Sequence, residues 1–399
     1  VYYQAFSWWR NGWNSVMSGL RTLYCPETDL ATLLDELLEW RREESPMGAL
    51  ALLPESEKER LPQLQAMCRA NGLDLVGALF PAIIAGGQFH RQGMLLLPFD
   101  EMPHTALLPL LPSDANAAAA QIANAVEPLL DGNSYTLFLI FDGMLPNIAS
   151  ILDALYLLLA DRLAYAGVNA GSETFESMHC LFDDCRIVSD GVLCLLLPGK
   201  QGAAIDHGYL APKEIITATS TVGNHILSID WRPAFEVYQE QVRHLYHLDL
   251  TADNFYEYAS HFPLGIVLAN NELLVRIPVV LAEDGSLFCV GEIPSNSMLT
   301  LLYAPQVDSV RSVNRLEHIL QKDFGPLGSR DLLLFYCAGR RLHLGDDALK
   351  ELHLLGEATR AANVIGALSL GEIGSLSNWG YPLFHNATLV CRPWGEHGT

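Results

Sequence analysis

The chain has 399 residues, with 24 Lys and Arg against 46 Asp and Glu, a formal net charge of −22. Half of it is hydrophobic, 18% is charged and the mean hydropathy is slightly positive, so a large core can form and global disorder is excluded. A charge this negative repels phosphate, and no Lys/Arg-rich stripe reverses the sign locally, which argues against nucleic acid as a partner.

Membrane insertion is not expected. The most apolar stretch, Ile148 to Ala166, is interrupted by Asp153, Asp161 and Arg162, whereas a spanning helix needs about 20 mostly apolar residues. No charged start followed by an apolar run marks a secretory signal. Eight cysteines are scattered without paired spacing, which suits reduced, buried thiols and a cytoplasmic location.

In chain order, Leu30, Leu33, Leu34, Leu37 and Leu38 predict a helix, with Thr28 or Asp29 as its cap. Strands are expected at Ala49 to Leu53, Leu73 to Leu79, Met94 to Leu97 and Leu107 to Leu111, with a helix from about Ser56 to Ala70 between the first two. Helix Ala115 to Leu130, strand Tyr135 to Phe141 and a helix from Ile148 continue the alternation, which predicts a layered α/β domain. From Met178 the texture turns to strands, at Met178 to Phe182, Val192 to Leu197, Ala203 to Tyr209, Ile215 to Thr221 and His225 to Ile229. Pro233 opens a helix to about Tyr246. Strands Leu264 to Leu268, Leu273 to Val280, Leu287 to Gly291 and Met298 to Tyr303 precede a helix over Gln306 to Gln321, a strand at Leu332 to Cys337 and a helix over Asp347 to Ala361. The expected architecture is α/β in the α+β layered sense: two closely packed mixed-sheet domains flanked by helices. Their expected spans are an N-terminal arm over 1–24, a first domain over 25–231 and a second over 232–399, with a cleft between the domains.

No Gly-rich phosphate loop, G-x-S-x-G elbow, H-E-x-x-H or C-x-x-C is present, so no catalytic residue is assigned. His179, Cys180 and Cys185 lack the remaining spacings of a zinc site. Asp183-Asp184 and Asp346-Asp347 read as turn and cap carboxylates.

Other stretches are more specific. Cys337-Ala338-Gly339-Arg340-Arg341 ends an apolar strand with what reads as a turn presenting a guanidinium. Gly371-Glu372-Ile373-Gly374 sets a carboxylate between glycines, His385-Asn386-Ala387-Thr388 precedes the last strand, and Arg276 interrupts an apolar one. Together with Phe262-Pro263-Leu264-Gly265-Ile266, Val275-Arg276-Ile277-Pro278 and Asp284-Gly285-Ser286-Leu287, these resemble the C-terminal half of the FIST family. Val76 to Pro81, Phe141-Asp142-Gly143, Gly167 to Ser172, His207-Gly208-Tyr209 and Asp230-Trp231-Arg232-Pro233-Ala234 resemble its N-terminal half. The match runs from about residue 25 to 392, departing at Asp184-Cys185-Arg186, where an Asn-Gly-type turn is usual.

The resemblance implies a small-ligand sensor of prokaryotic signalling that relays to a histidine kinase or a cyclic-di-GMP enzyme. A stand-alone FIST pair is similar to the haem-binding, nitric-oxide-sensing NosP group. On that reading His207 is the candidate axial metal ligand of a haem, with Tyr209 and His225 as further cofactor contacts. Arg276, Cys337, Arg340, Glu372, His385 and Asn386 are candidate ligand-binding residues. The guanidiniums and Glu372 suit either haem propionates or an amino-acid-like metabolite, or else form a buried Arg–Glu pair of the fold. Cys337 reads as a plain buried thiol or one activated by Arg340, the latter leaving an amide hydrolase as the enzymatic alternative. Trp8, Trp9 and Trp13 suggest a docking surface or a self-packed arm, and a homodimer is the default assembly.

Overall fold

The computed structural model describes residues 21–26, 30–305, 307, 310–328, 330–375 and 380–395. Trp8, Trp9, Trp13, the cap candidates Thr28 and Asp29, and Gln306 lie outside the described residues.

The architecture is mixed α/β, as the alternation of periods predicts, and it is built three times over. The first repeat runs β1 (Leu23–Cys25), α1 (Leu30–Glu44), β2 (Gly48–Pro54), α2 (Leu61–Ala70), β3 (Asp74–Phe80), the hairpin β4 (Ile83–Ala85) and β5 (Gln88–His90), then β6 (Met94–Phe99). The second runs β7 (His104–Leu108), α3 (Ala115–Val126), β8 (Tyr135–Asp142), α4 (Ile148–Leu159), β9 (Ala164–Ala170), the hairpin β10 (Leu181–Asp183) and β11 (Ile187–Val188), then β12 (Val192–Pro198). The third opens at β13 (Ala204–Asp206) and is interrupted by an insert of eight strands. These are β14 (Ile216–Val222), β15 (His225–Ile229), β16 (Arg232–Pro233), β17 (Leu264–Val267), β18 (Leu273–Arg276), β19 (Pro278–Leu281), β20 (Leu287–Cys289) and β21 (Met298–Leu301), with helices α5 (Ala234–Tyr246) and α6 (Phe255–Tyr258). The repeat resumes with α7 (Arg311–Phe324), β22 (Asp331–Cys337), α8 (Ala338–Leu344), α9 (Asp347–Thr359), β23 (Val364–Ser369), the hairpin β24 (Glu372–Gly374) and β25 (Leu383–His385), and β26 (Leu389–Trp394).

Three sheets share one plan. Their orders are β1-β6-β2-β3-β10-β11, β7-β12-β8-β9-β24-β25 and β13-β26-β22-β23-β4-β5. The central pair of each (β2·β3, β8·β9, β22·β23) is parallel and joined by a helical crossover, and the other neighbours are antiparallel. Each sheet is completed by a hairpin from another repeat, in a closed cycle: the second repeat's hairpin on β3, the third's on β9 and the first's on β23. The central strands are buried on both faces, which is why Leu50, Leu52, Leu137, Leu139, Leu332 and Leu334 belong to unbroken apolar runs rather than alternating ones.

A glycine recurs in the same place. A Cβ at Gly77, Gly167 or Gly366 would overlap the carbonyl oxygen of its parallel partner, Ala51, Leu139 or Leu334. The insert keeps a core of its own around Tyr238, Phe255, Leu264 and Leu299.

Several local readings change; the strand expected over Ala203 to Tyr209 is only β13, ending at Asp206, so His207 and Tyr209 lie beyond it. The strand expected over Leu273 to Val280 breaks at Ile277 into β18 and β19. The turn expected after Cys337 is the helix α8, because Ala338 to Leu344 continues in helical geometry and ends only at Gly345, φ +56. Among the described residues no helix is long and apolar enough to cross a membrane.

Candidate ligand-binding cleft

Cys337 ends β22, Leu370 follows β23 and Asn386 precedes β26. The carboxyl ends of the parallel pair in the third sheet therefore converge, the usual ligand position of an open α/β sheet. They line a cleft enclosing about 550 Å³ of non-protein space, partly open to solvent. Its walls come from distant chain segments: Glu173 and Phe175 from the loop after β9, Ile277, Val279 and Val290 from the insert, and Gly339 and Leu342 from α8. Gly339 is small because a Cβ there would come 2.7 Å from Ile277 Cδ1. Phe175 and Leu342 stay exposed at 44% and 62%. At the carboxyl ends of the second repeat's parallel pair Leu370 packs closely: Cβ atoms at Gly143 and Gly171 would come 3.0 and 3.2 Å from its Cδ1.

Of the nine residues singled out in the sequence, Cys337 and Asn386 line the cleft. Asn386 is 1% exposed, and neither its Nδ2 nor its Oδ1 has a hydrogen-bond partner. The Cys337 sulfur accepts the Ala387 N–H at 3.1 Å, and its thiol is hydrogen-bonded to the Glu372 carboxylate. Burial, then the charge of Glu372, push this thiol up, so it is held protonated rather than activated.

Arg340 is committed to the fold. Its Nε and Nη2 form a fork with Glu351 at 2.8 and 2.6 Å, and its Nη1 donates to the carbonyls of His207 and Ala387. Tyr336 Oη donates to the same carboxylate at 2.7 Å. The buried Arg–Glu pair considered from the sequence exists, with Glu351 rather than Glu372 as partner. A signal for it was present: Ala348, Glu351, Leu352 and Leu355 share the buried face of α9, and a carboxylate among them requires a partner. Arg276 is 2% exposed and donates to the carbonyls of Glu292, Val275 and Phe384, with the Phe384 ring 5.6 Å from its guanidinium carbon. Burial lowers its pKa to about 10.

Glu372 lies fully buried behind Cys337, accepting from Ser369 Oγ and Thr388 Oγ1, both at 2.5 Å. Burial raises its pKa to about 7 against those hydrogen bonds. The folded state therefore binds this proton more tightly than the unfolded chain does. Stability from this site is full below pH 4.5, the ordinary glutamate value, and falls as pH rises to 7, by on the order of 3 kcal/mol. Glu372→Gln removes that dependence. In urea titrations at pH 5 and pH 8 the stability of the variant relative to wild type should rise with pH, and an equal difference at both would refute the assignment.

His385 is fully buried, with Nε2 3.3 Å from the Gly374 carbonyl, and burial lowers its pKa to about 3. His207 has both ring nitrogens engaged: Nδ1 accepts the Tyr209 N–H at 2.9 Å and the other bonds the Leu273 backbone. Burial lowers its pKa to about 4. Tyr209 is buried beside it, and His225 lies in the insert, stacked on Phe288 and 2.5 Å from Ser286 Oγ. The cleft lining includes none of these three residues and no other His, Tyr or Met, and its Cys337 thiol is held protonated. The residues of this cleft do not fit a haem, because none of them supplies an axial ligand. Among the described residues no cluster of three or more His, Cys, Asp or Glu could hold a metal ion.

Residues 50–232 match the FIST N domain model and residues 234–375 the FIST C domain model. The chain belongs to the FIST family. FIST domains are small-ligand sensory domains of signalling proteins. The two FIST models meet at Arg232 and Ala234, a junction that lies within the inserted sheet between β15 and α5. No curated protein matches the chain.

Proposed function

We propose that this FIST protein senses a small, mainly apolar, uncharged ligand held in the cleft at Cys337 and Asn386. The occupied state would be relayed to a separate signalling protein, such as a histidine kinase or a cyclic-di-GMP enzyme. The observation that carries this reading is the origin of the walls: the second repeat, the insert and the third repeat each contribute a face. A ligand filling the space touches all three and shifts whatever equilibrium exists between their arrangements, by as much as it prefers one of them. An amino acid fits poorly, because Arg276 and Arg340, the cations expected to meet its carboxylate, are turned to carbonyls and to Glu351. Haem, and nitric oxide with it, draws no support from the placement of His207, Tyr209 and His225. Binding is favoured over hydrolysis, because burial and the Glu372 charge hold the Cys337 thiol protonated rather than as a nucleophilic thiolate.

A thermal-shift screen of uncharged metabolites tests the reading, since a ligand of the folded state raises the melting temperature. Val279 is only partly buried on the cleft wall, so Val279→Trp fills the space with little strain. Hits should lose their shift in Val279→Trp. Hits that keep it bind elsewhere, and the cleft is then not the sensory site.

A further inference from the structure

The cleft is apolar except at few points, and one of them is unusual. Asn386 is 99% buried on the lining, yet its amide donor and amide acceptor both lack a protein partner. A buried amide with neither end paired is costly, and natural structures tolerate it where something else completes the bonding. Its neighbour Ala387 is fixed from both sides, its N–H by Cys337 Sγ and its carbonyl by Arg340, so the backbone beside Asn386 is held while the side-chain amide, buried at the cleft wall, has no partner.

The charges attached to the lining are already matched. Arg340 is forked on Glu351, and Glu173 at the rim pairs with Arg91 and lies 4.0 Å from Arg341, which also covers the Phe89 ring. Glu372 lies directly behind Cys337, so an anion entering the cleft meets a carboxylate rather than a guanidinium. An ammonium would have to be desolvated among Ile277, Val290 and Leu370 with no unpaired carboxylate to receive it.

Resting on the cleft reading above, we infer that Asn386 is the polar anchor of the ligand and that the cleft takes a neutral carboxamide, a primary or secondary amide or a lactam, on an apolar body. A carboxamide presents an acceptor and a donor side by side, the complement of the Asn386 amide, so two hydrogen bonds form at once. An alcohol offers a single polar atom to the same pair. A site built to hydrogen-bond a polar group rejects analogues that lack it, because its own buried groups are then left unpaired.

The test is a head-group series on one tail: octanamide, octanol, octanoate and octylamine, measured by calorimetry and thermal shift at pH 7.5. Octanamide should bind at least tenfold more tightly than the other three. Asn386→Leu, nearly isosteric, should weaken octanamide tenfold or more, weaken octanol by distinctly less and keep the melting temperature at or above that of wild type. A merely structural asparagine would instead lower it. Equal binding of all four heads, or octanamide binding untouched by Asn386→Leu, overturns the amide assignment while leaving the cleft reading intact if Val279→Trp abolishes binding. Binding of none of the four to millimolar concentration, or binding that survives Val279→Trp, overturns both.

Discussion

Replacing Arg340 by methionine should cost about 3–5 kcal/mol of folding stability, because it leaves the Glu351 carboxylate buried and without its cation. Arg340 is 0% exposed and Glu351 2%, so water cannot take over the lost contacts. Urea unfolding followed by far-UV circular dichroism gives the number. The double variant Arg340→Met/Glu351→Leu should recover most of the loss, since removing both charges also removes their desolvation cost. The exposed pair Arg232–Glu240 supplies the contrast. It has the same forked geometry, at 2.7 and 2.6 Å, but is screened by solvent, and Arg232→Met should cost only a small fraction of what Arg340→Met does. A loss below 1 kcal/mol at Arg340 would mean that the fork is not the clamp described, and that the His207 and Ala387 segments are held by other contacts.

Gly366→Ala is expected to be at least as damaging. The new methyl would overlap the Leu334 carbonyl, and Gly366 has φ +151, outside the usual range of residues with a side chain. The obstacle is backbone in the centre of a sheet, so relief requires separating β22 from β23, and about 3–5 kcal/mol follows from lost ladder bonds and packing. Gly356→Ala in α9 is the control. Its methyl meets a Val364 side-chain methyl at 3.3 Å, which has to give by only a few tenths of an ångström, and helix propensity favours alanine, so the change should stay within about 1 kcal/mol. Gly366→Ala with a melting temperature close to wild type would show that the parallel pairs do not need their glycines.

Much of this fold was legible along the chain. The apolar runs at β2, β8 and β22 and the periodic leucines of α1 and α4 state their own conformation, because each is decided by neighbours a few residues away. The threefold plan was not legible. It rests on β10, β24 and β4, each three residues long, and on pairings such as Gly366 with Ile84, which nothing local specifies. The site divides in the same way. Cys337 and Asn386 were found through motifs that mark the ends of β22 and the start of β26, whereas Phe175 and Leu342 line the cleft from exposed positions that carry no periodic signal. Arg276 and Arg340 drew attention for a sound reason, since a cation in an apolar run must be answered. Their answers are carbonyls and a helix-borne glutamate. Glu351 was the overlooked half of that argument: the same reasoning applied to the apolar face of α9 leads to it.

The cyclic exchange of hairpins sets the order in which this chain can be completed during synthesis. The first sheet has all its strands once Val188 has emerged, since β10 and β11 close it. The second waits for β24 and β25, more than 170 residues after Pro198 ends its own last strand. The hairpin β4–β5, made early, has no partner until β23 appears at Val364. A ribosome that stalls in the insert therefore holds two sheet edges open at once, with the apolar Ile83 and Ile84 among the exposed residues. For the same reason a fragment cut at the junction of the two family models would retain β4–β5 and β9 without the strands that cover them, and quality control would meet it as an unfinished product rather than as a domain.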